Sequence, residues 1–286
     1  NSVVGPIARL CGWKSLVKAS LENNDLHRLG ESMSGRLHLV FLRLVDIYIA
    51  ISKNLQQEFL SSGLPAQKVL LIPNGVDTDR FHPADIERKR ELRSDFSLPN
   101  EQLIVLTVGV LNRRKNIYWL IEQWLENDSF GTAGLLLVIG PQGREDPKGE
   151  FIVSLKQMAL DNPTKVRILE EVDDIERYYR AADLFILPSH GEGMPNVLLE
   201  AMASGLPCIA TRVSGVTDLA REGETAYTFV PNDTEGLRKA LLAVLADSDG
   251  LLGQGGRLLV ENEFGLSVLA ERYEGLYNEI NIRTSS

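Results

Sequence analysis

Six short apolar runs, five of them followed by a stretch with helical spacing, constrain this 286-residue chain more than any other feature. They occupy residues 103–108, 135–139, 166–169, 183–187, 208–211 and 225–230. Runs of four to six residues without polar alternation read as strands buried on both faces. The intervening segments at 117–125, 149–160, 173–181, 195–205 and 233–246 carry apolar residues three and four apart, as helices do. Strand and helix in regular alternation predict a doubly wound parallel sheet. Ahead of it, after a helix tail at 1–12, strands at 15–19, 46–51 and 68–72 alternate with helices at 35–44 and 53–62, with a polar loop at 22–25 following the first strand. Three strands are fewer than such a half normally has, so this first unit is expected to be incomplete. The charged stretch from Arg88 to Arg93 reads as part of a polar connection, and the boundary is placed there. The expected organisation is a partial first α/β domain at 1–84, a second Rossmann-like domain at 85–263, and a terminal helix at 264–286. Leu266, Leu269, Tyr273, Leu276, Tyr277 and Ile280 form a stripe along that last helix.

Ligands of open α/β sheets bind beyond the carboxyl ends of the strands. Two loops there are chemically loaded. The first, Gly109 to Asn116, holds three consecutive cations, Arg113, Arg114 and Lys115. The second runs from Pro188 through Glu192 and Gly193 to Pro195-Asn196, where a helix opens with Pro at its first position. That helix presents free N–H groups at its start and carries Glu200 one turn further on, four residues after Asn196. Alone, the cationic run is more simply a solvated charge run and Glu200 an exposed helix residue. Together, cations from one loop and helix-terminal N–H groups from the other can bracket a diphosphate. No G-x-G-x-x-G and no G-x-x-x-x-G-K-S/T occurs at either loop, which removes the usual signatures of NAD binding and of P-loop hydrolysis.

Charge narrows the partners. A formal net charge of −9 argues against a nucleic-acid binder. The first 82 residues are slightly basic while the rest carry the acid, which raises contact with an acidic lipid or acceptor as a minority reading beside chance. Cys11 and Cys208 lie in apolar settings and read as reduced buried thiols. The longest apolar candidate, 37–51, is interrupted by Arg43 and Asp46 and is no membrane span. The chain begins with Asn rather than Met, so an N-terminal segment is expected to be missing.

Glu192 and Glu200, within Glu-Gly-Met-Pro-Asn-Val-Leu-Leu-Glu-Ala-Met-Ala-Ser-Gly-Leu-Pro, closely resemble the E-x7-E motif of retaining glycosyltransferases of family 4. Val108-Gly109, Leu111, Lys115 and Asn116 look like that family's phosphate loop. Ile72-Pro73-Asn74-Gly75-Val76-Asp77, with Phe81 and Pro83, resembles its interdomain segment. The likeness covers the chain from about Asp46 onward. It implies a GT-B fold, two Rossmann-like domains facing across a cleft, the second binding a nucleotide-sugar and the first an acceptor. By that analogy Glu200 accepts from ribose hydroxyls, Lys115 neutralises the diphosphate with help from Arg114, and Glu192 contacts the transferred sugar. Gly109, Gly193, Met194, Pro195, Asn196 and Val197 complete the donor-binding set, and Leu169 borders the base. The last helix is expected to cross back onto the first domain.

The chemistry implied is transfer of a sugar from a nucleoside-diphosphate-sugar to a hydroxyl of a carbohydrate or lipid-linked acceptor, with retained configuration, in surface polysaccharide or glycolipid synthesis. The departing phosphate takes the acceptor's proton, so no protein base is needed. No Asp-x-Asp pair is present, so no metal and no other cofactor is expected. The expected location is cytoplasmic, with peripheral contact at the inner membrane face as an option. Val110 stands where the family often has Arg, leaving Arg113 or Arg114 to substitute; Glu170 and Ser214 stand where Gly is usual. His27, His38, His82 and His190 have no matching context for an acceptor-site histidine and read as structural or surface residues. The alternatives are a nucleotide-sugar epimerase on the same scaffold and a non-catalytic nucleotide-sugar-binding fragment.

Overall fold

The structure, a computed structural model, describes residues 16–19, 45–126, 134–143 and 149–284. The expected helices at 1–12 and 35–44, the loop at 22–25, and Cys11, His27 and His38 lie outside the described residues. Two parallel sheets organise the rest. The first has the order β1 (Leu16–Ala19), β2 (Ile47–Ala50), β3 (Val69–Leu71), with Leu16 opposite Ile47 and Ile49 opposite Leu70. Helix α1 (Lys53–Ser61) links β2 to β3 and is capped by the Ser52 hydroxyl, which accepts from the Leu55 amide at 3.3 Å.

The second sheet has six strands: β4 (Leu103–Val108), β5 (Gly134–Ile139), β6 (Val166–Leu169), β7 (Leu184–Leu187), β8 (Cys208–Thr211) and β9 (Tyr227–Phe229). Their order is β6-β5-β4-β7-β8-β9, all parallel, so the winding reverses between β4 and β7. Strand periodicity divides the side chains between two layers. Val105, Leu136, Val138, Leu184, Ile186 and Ile209 pack with α3 (Ile117–Glu126), α4 (Glu150–Asp161) and α7 (Thr234–Leu245). Ile104, Leu106, Leu137, Ile139, Phe185 and Cys208 face the other way, into a core shared with α5 (Ile175–Ala181), α6 (Asn196–Ala203) and α8 (Leu251–Glu263). That same core continues through Met194 and Val216 into Tyr48, Ile51, Leu55 and Phe59 of the first unit.

Two helices were not expected. The charged stretch Arg88–Arg93 is no connection but the body of α2 (Ile86–Asp95), capped by Asp85 and packed on α5. Arg93 is buried there, donating to the carbonyls of Ala181 and Asn100 and to Asp183 Oδ2, which also accepts from the Ile104 amide. Helix α8 carries Gly253, Gly255 and Gly256, which lower helix propensity but let it lie on neighbouring backbone. A Cβ at Gly253 would come within 2.3 Å of the Gly205 carbonyl oxygen, and one at Gly255 within 2.0 Å of that of Glu224. The chain then bridges back: Val76 exchanges backbone hydrogen bonds with Phe264 and Leu266, and α9 (Leu266–Thr284) begins. Leu276 of α9 packs with Ile49 and Ile72 on the outer face of the first sheet. No helix among the described residues is long and apolar enough to cross a membrane.

Candidate functional site

The strand-order reversal leaves a crevice between the loops that follow β4 and β7. After β4 the chain tightens into a 3-10 turn, Arg113–Lys115, whose Lys115 amide donates to the Asn112 side chain at 3.0 Å. Asn116 follows in the left-handed region at φ 56°, a conformation asparagine tolerates, and turns the chain into α3. The turn sends its three cations in different directions. Arg113 is exposed and lies over the Phe151 ring at 6.0 Å. Arg114 is half-buried and donates to the Gly191 carbonyl at 2.7 Å and to Glu192 at 3.4 Å. Lys115 is buried at 8% exposure, its stem lying across Gly109, and its Nζ meets Glu192 Oε1 at 2.7 Å. Glu192 is itself only 6% exposed. A backbone bond from the His190 amide to the Arg114 carbonyl, 2.9 Å, completes the closure between the loops. The cationic run is therefore not a solvated charge run. Of the two arginines held ready to replace the missing one at Val110, the structure directs Arg114 to the crevice. Arg113 and His190 instead line a cavity of about 470 Å³ with Trp119 and Phe151 on the α3–α4 side.

Beyond Glu192 the loop runs through Gly193 and Met194 to α6. Pro195 is the extended N-cap residue rather than the first helical one, and no side chain caps the helix there. The N–H groups of Asn196 and Val197 open α6 with no preceding turn to receive them, so its positive end faces the crevice. Glu200 follows about 6 Å along the axis. It is not an exposed helix residue. Its Oε2 accepts from the Tyr179 hydroxyl at 2.9 Å, and burial pushes its carboxyl up while Tyr179 and the nearby Arg80 guanidinium pull it back. Leu169 stands apart at the end of β6, two strand spacings or about 10 Å from β4, where its carbonyl accepts from the Gly140 amide. Glu170 beside it is exposed and paired with Lys156 at 2.7 Å, which holds its carboxyl below the usual range.

The loop is gripped by residues that sequence reasoning did not select as site residues. Asn74, between the two sheets, donates from its amide nitrogen to Met194 Sδ at 3.3 Å and from its side chain to Asn196 Oδ1 at 3.0 Å. Gly215, at φ 50°, lies so close under Gly193 that a Cβ would be 2.2 Å from the Gly193 carbonyl oxygen. Asp218, just beyond, accepts from the Lys53 amide at the start of α1. Arg257 of α8 donates to the carbonyl at the far end of α6, Ala203, and to those of Thr78 and Phe81 in the linker. Asn74 was visible only as part of a quoted segment, and Tyr179 and Arg257 had no local signal. His82 and His190, the described histidines, are exposed or half-exposed.

Residues 102–247 match a family described as glycosyl transferases group 1, and residues 20–80 match glycosyltransferase family 4. A capsular polysaccharide biosynthesis glycosyltransferase, CapM of Staphylococcus aureus, is 28% identical over 80% of this chain and 60% of its own length. The UDP-Gal:alpha-D-GlcNAc-diphosphoundecaprenol alpha-1,3-galactosyltransferase of Escherichia coli is 27% identical over 73% of the chain and 54% of its own length. The chain thus spans little more than half the length of these relatives. Among solved structures, Anabaena HepE in complex with UDP and glucose superposes with a TM-score of 0.81 at 19% identity, covering 96% of this chain and 75% of that one.

Proposed function

Since the chain belongs to the glycosyl transferases group 1 family and has the GT-B fold, we propose that it moves a sugar from a nucleoside-diphosphate-sugar to an acceptor hydroxyl. The observation that carries this is the crevice at the strand-order reversal, where Lys115 and Arg114 meet Glu192 beside the start of α6. The diphosphate takes its place among these cations and the first N–H groups of α6. Lys115 and Arg114 then exchange Glu192 for phosphate oxygens, and the freed Glu192 turns to the sugar hydroxyls. Glu200 accepts from the ribose hydroxyls, Val197 and Asn196 supply backbone donors, and Leu169 borders the base.

Breaking the glycosidic bond leaves negative charge on the phosphate. Two cations and a helix N-terminus in a half-buried crevice stabilise that charge more strongly than water does, because they are fixed before the reaction begins. The transfer retains configuration: the acceptor attacks from the face the phosphate leaves, and the phosphate oxygen takes the hydroxyl proton. No protein base and no metal is assigned. The acceptor is a carbohydrate or lipid-linked sugar of the surface-polymer type, as the relatives' names suggest. Isothermal titration with UDP-, GDP- and ADP-sugars tests the donor assignment. One of them is expected to bind, and Glu200→Ala and Lys115→Ala to abolish it. Unchanged affinity in both variants overturns the assignment.

A further inference from the structure

Tyr179 is fully buried, and its ring is held on two sides. Phe81 of the linker meets it edge-on at 5.7 Å, and Phe185 of β7 lies tilted at 5.8 Å. The hydroxyl emerges beneath α6, with two acceptors in reach: Glu200 Oε2 at 2.9 Å and the Val197 carbonyl at 3.2 Å. A phenol has one proton to give. The Val197 carbonyl already lies in the helix ladder of α6, and a carboxylate is the stronger acceptor, so the proton goes to Glu200. The bond from Tyr179 engages Glu200 Oε2 and not Oε1. The clamp on Oε2 therefore fixes the side chain and leaves one oxygen for a ligand.

We propose that Tyr179 is the positioning residue that holds Glu200 ionised and pre-aimed at the vicinal hydroxyls of a nucleotide ribose. The inference rests on the assignment of Glu200 to the ribose. The ionisable groups around the Glu200 carboxylate are few. Tyr179 comes from α5, Arg80 from the linker, and the buried Cys208 thiol of β8 stands behind Tyr179. Arg257 of α8 reaches α6 only at its far end, on Ala203. Arg80 is committed to Glu176 at 2.8 Å and acts on Glu200 through space. Burial works against the carboxylate, so the Tyr179 hydroxyl is the one direct bond among the described residues that keeps it charged. Without it, Glu200 protonates at higher pH and turns more freely.

Ribose discrimination reads this separately from folding. The probe is whichever of UDP, GDP and ADP binds the wild type best, compared by calorimetry with its 2′-deoxy counterpart between pH 5.5 and 8.5. A hydrogen bond to a charged acceptor predicts about tenfold or greater preference for the ribose form in the wild type. Tyr179→Phe is expected to shrink that preference to about threefold or less, with the acid limb of ribose-dependent binding shifted upward in pH relative to the wild type. A purely structural role would weaken both nucleotides equally at every pH, and that result, or an unshifted profile, overturns the proposal. If Glu200→Gln leaves affinity and discrimination intact, the ribose assignment itself falls. If Glu200→Gln abolishes discrimination while Tyr179→Phe preserves it, only the role of Tyr179 falls. Should Tyr179→Phe fail to fold, Glu200→Asp withdraws the carboxylate from the phenol by one methylene and is expected to give the same loss of discrimination; retention overturns the proposal.

Discussion

Replacing Lys115 by Met keeps the length of the stem across Gly109 and removes only the charge from its contact with Glu192. At 2.7 Å and an effective dielectric of about 20, the pair attracts by roughly 6 kcal/mol, against desolvation of several kcal/mol per ion. The net worth of the pair is therefore small, but the cost of halving it is not. Glu192, 6% exposed, would be left with Arg114 at 3.4 Å. Breaking a buried pair costs about 3–5 kcal/mol, and the residual arginine places the expectation at the lower end, about 3 kcal/mol. For a chain of this size that lowers the melting temperature by about 6–12 °C. The double variant Lys115→Met, Glu192→Gln removes both charges and should return to within about 1 kcal/mol of the wild type. Urea melts followed by circular dichroism read these values, and calorimetric titration with nucleoside diphosphates follows binding in the same samples. Stability should recover in the double variant while binding stays lost. A Lys115→Met protein as stable as wild type, or a double variant no more stable than the single, refutes the buried pair and with it the exchange of Glu192 for phosphate.

Three further outcomes are expected. Arg257→Ala orphans the Thr78, Phe81 and Ala203 carbonyls and should cost about 2–3 kcal/mol in urea melts, with Arg257→Lys recovering less than half because one ammonium cannot reproduce the planar fork. Gly215→Ala places a Cβ 2.2 Å from the Gly193 oxygen at a φ of 50°, so nucleotide binding measured by calorimetry should weaken about tenfold or more as the loop is displaced. Burial raises the Glu200 carboxyl above its ordinary 4.5, so the protonated form favours folding; that contribution is full below pH 4.5 and is lost as pH rises through the raised value. Glu200→Gln should therefore melt higher than wild type at pH 7, with the gap closing below pH 4.5.

The second sheet was legible because each of its strands is a local apolar run and parallel pairing demands helices between them. All six strands lie where the pattern put them, within a residue or two at the ends. Helices α2 and α8 were not legible, for opposite reasons. In α2, eight of ten residues are polar, and the one that decides its place, Arg93, is buried by Asp183 ninety positions away. In α8, three glycines depress helix propensity, and only the close backbone of Gly205 and Glu224 shows why they are there. Arg114, Lys115, Glu192 and Glu200 announced themselves through charge beside glycine and a helix start. That their charges pair with one another was hidden, since Lys115 and Glu192 are 77 residues apart.

The grips on the loop between Glu192 and Asn196 have a common consequence. Asn74 holds it from the linker, Gly215 supports it from below, and Asp218, three residues past Gly215, is tied to the first turn of α1. Arg257 fixes the far end of α6 to the same linker that Asn74 belongs to. The Arg257 guanidinium meets only backbone carbonyls, and the other holds run through glycine backbone or the short side chains of Asn74, Asn196 and Asp218, so the loop and helix are set by the placement of the first unit against the second. The Lys115–Glu192 contact differs in kind, since it joins two long side chains whose ends can swing without moving either backbone. On the proposed donor assignment, ligand entry therefore needs only rotamer exchange within a fixed frame. The same reasoning explains why the frame is expensive to disturb. Shifting Gly193 by the distance a Cβ at Gly215 requires would move the start of α6 and the Asn74 bonds together, and Glu200 with them.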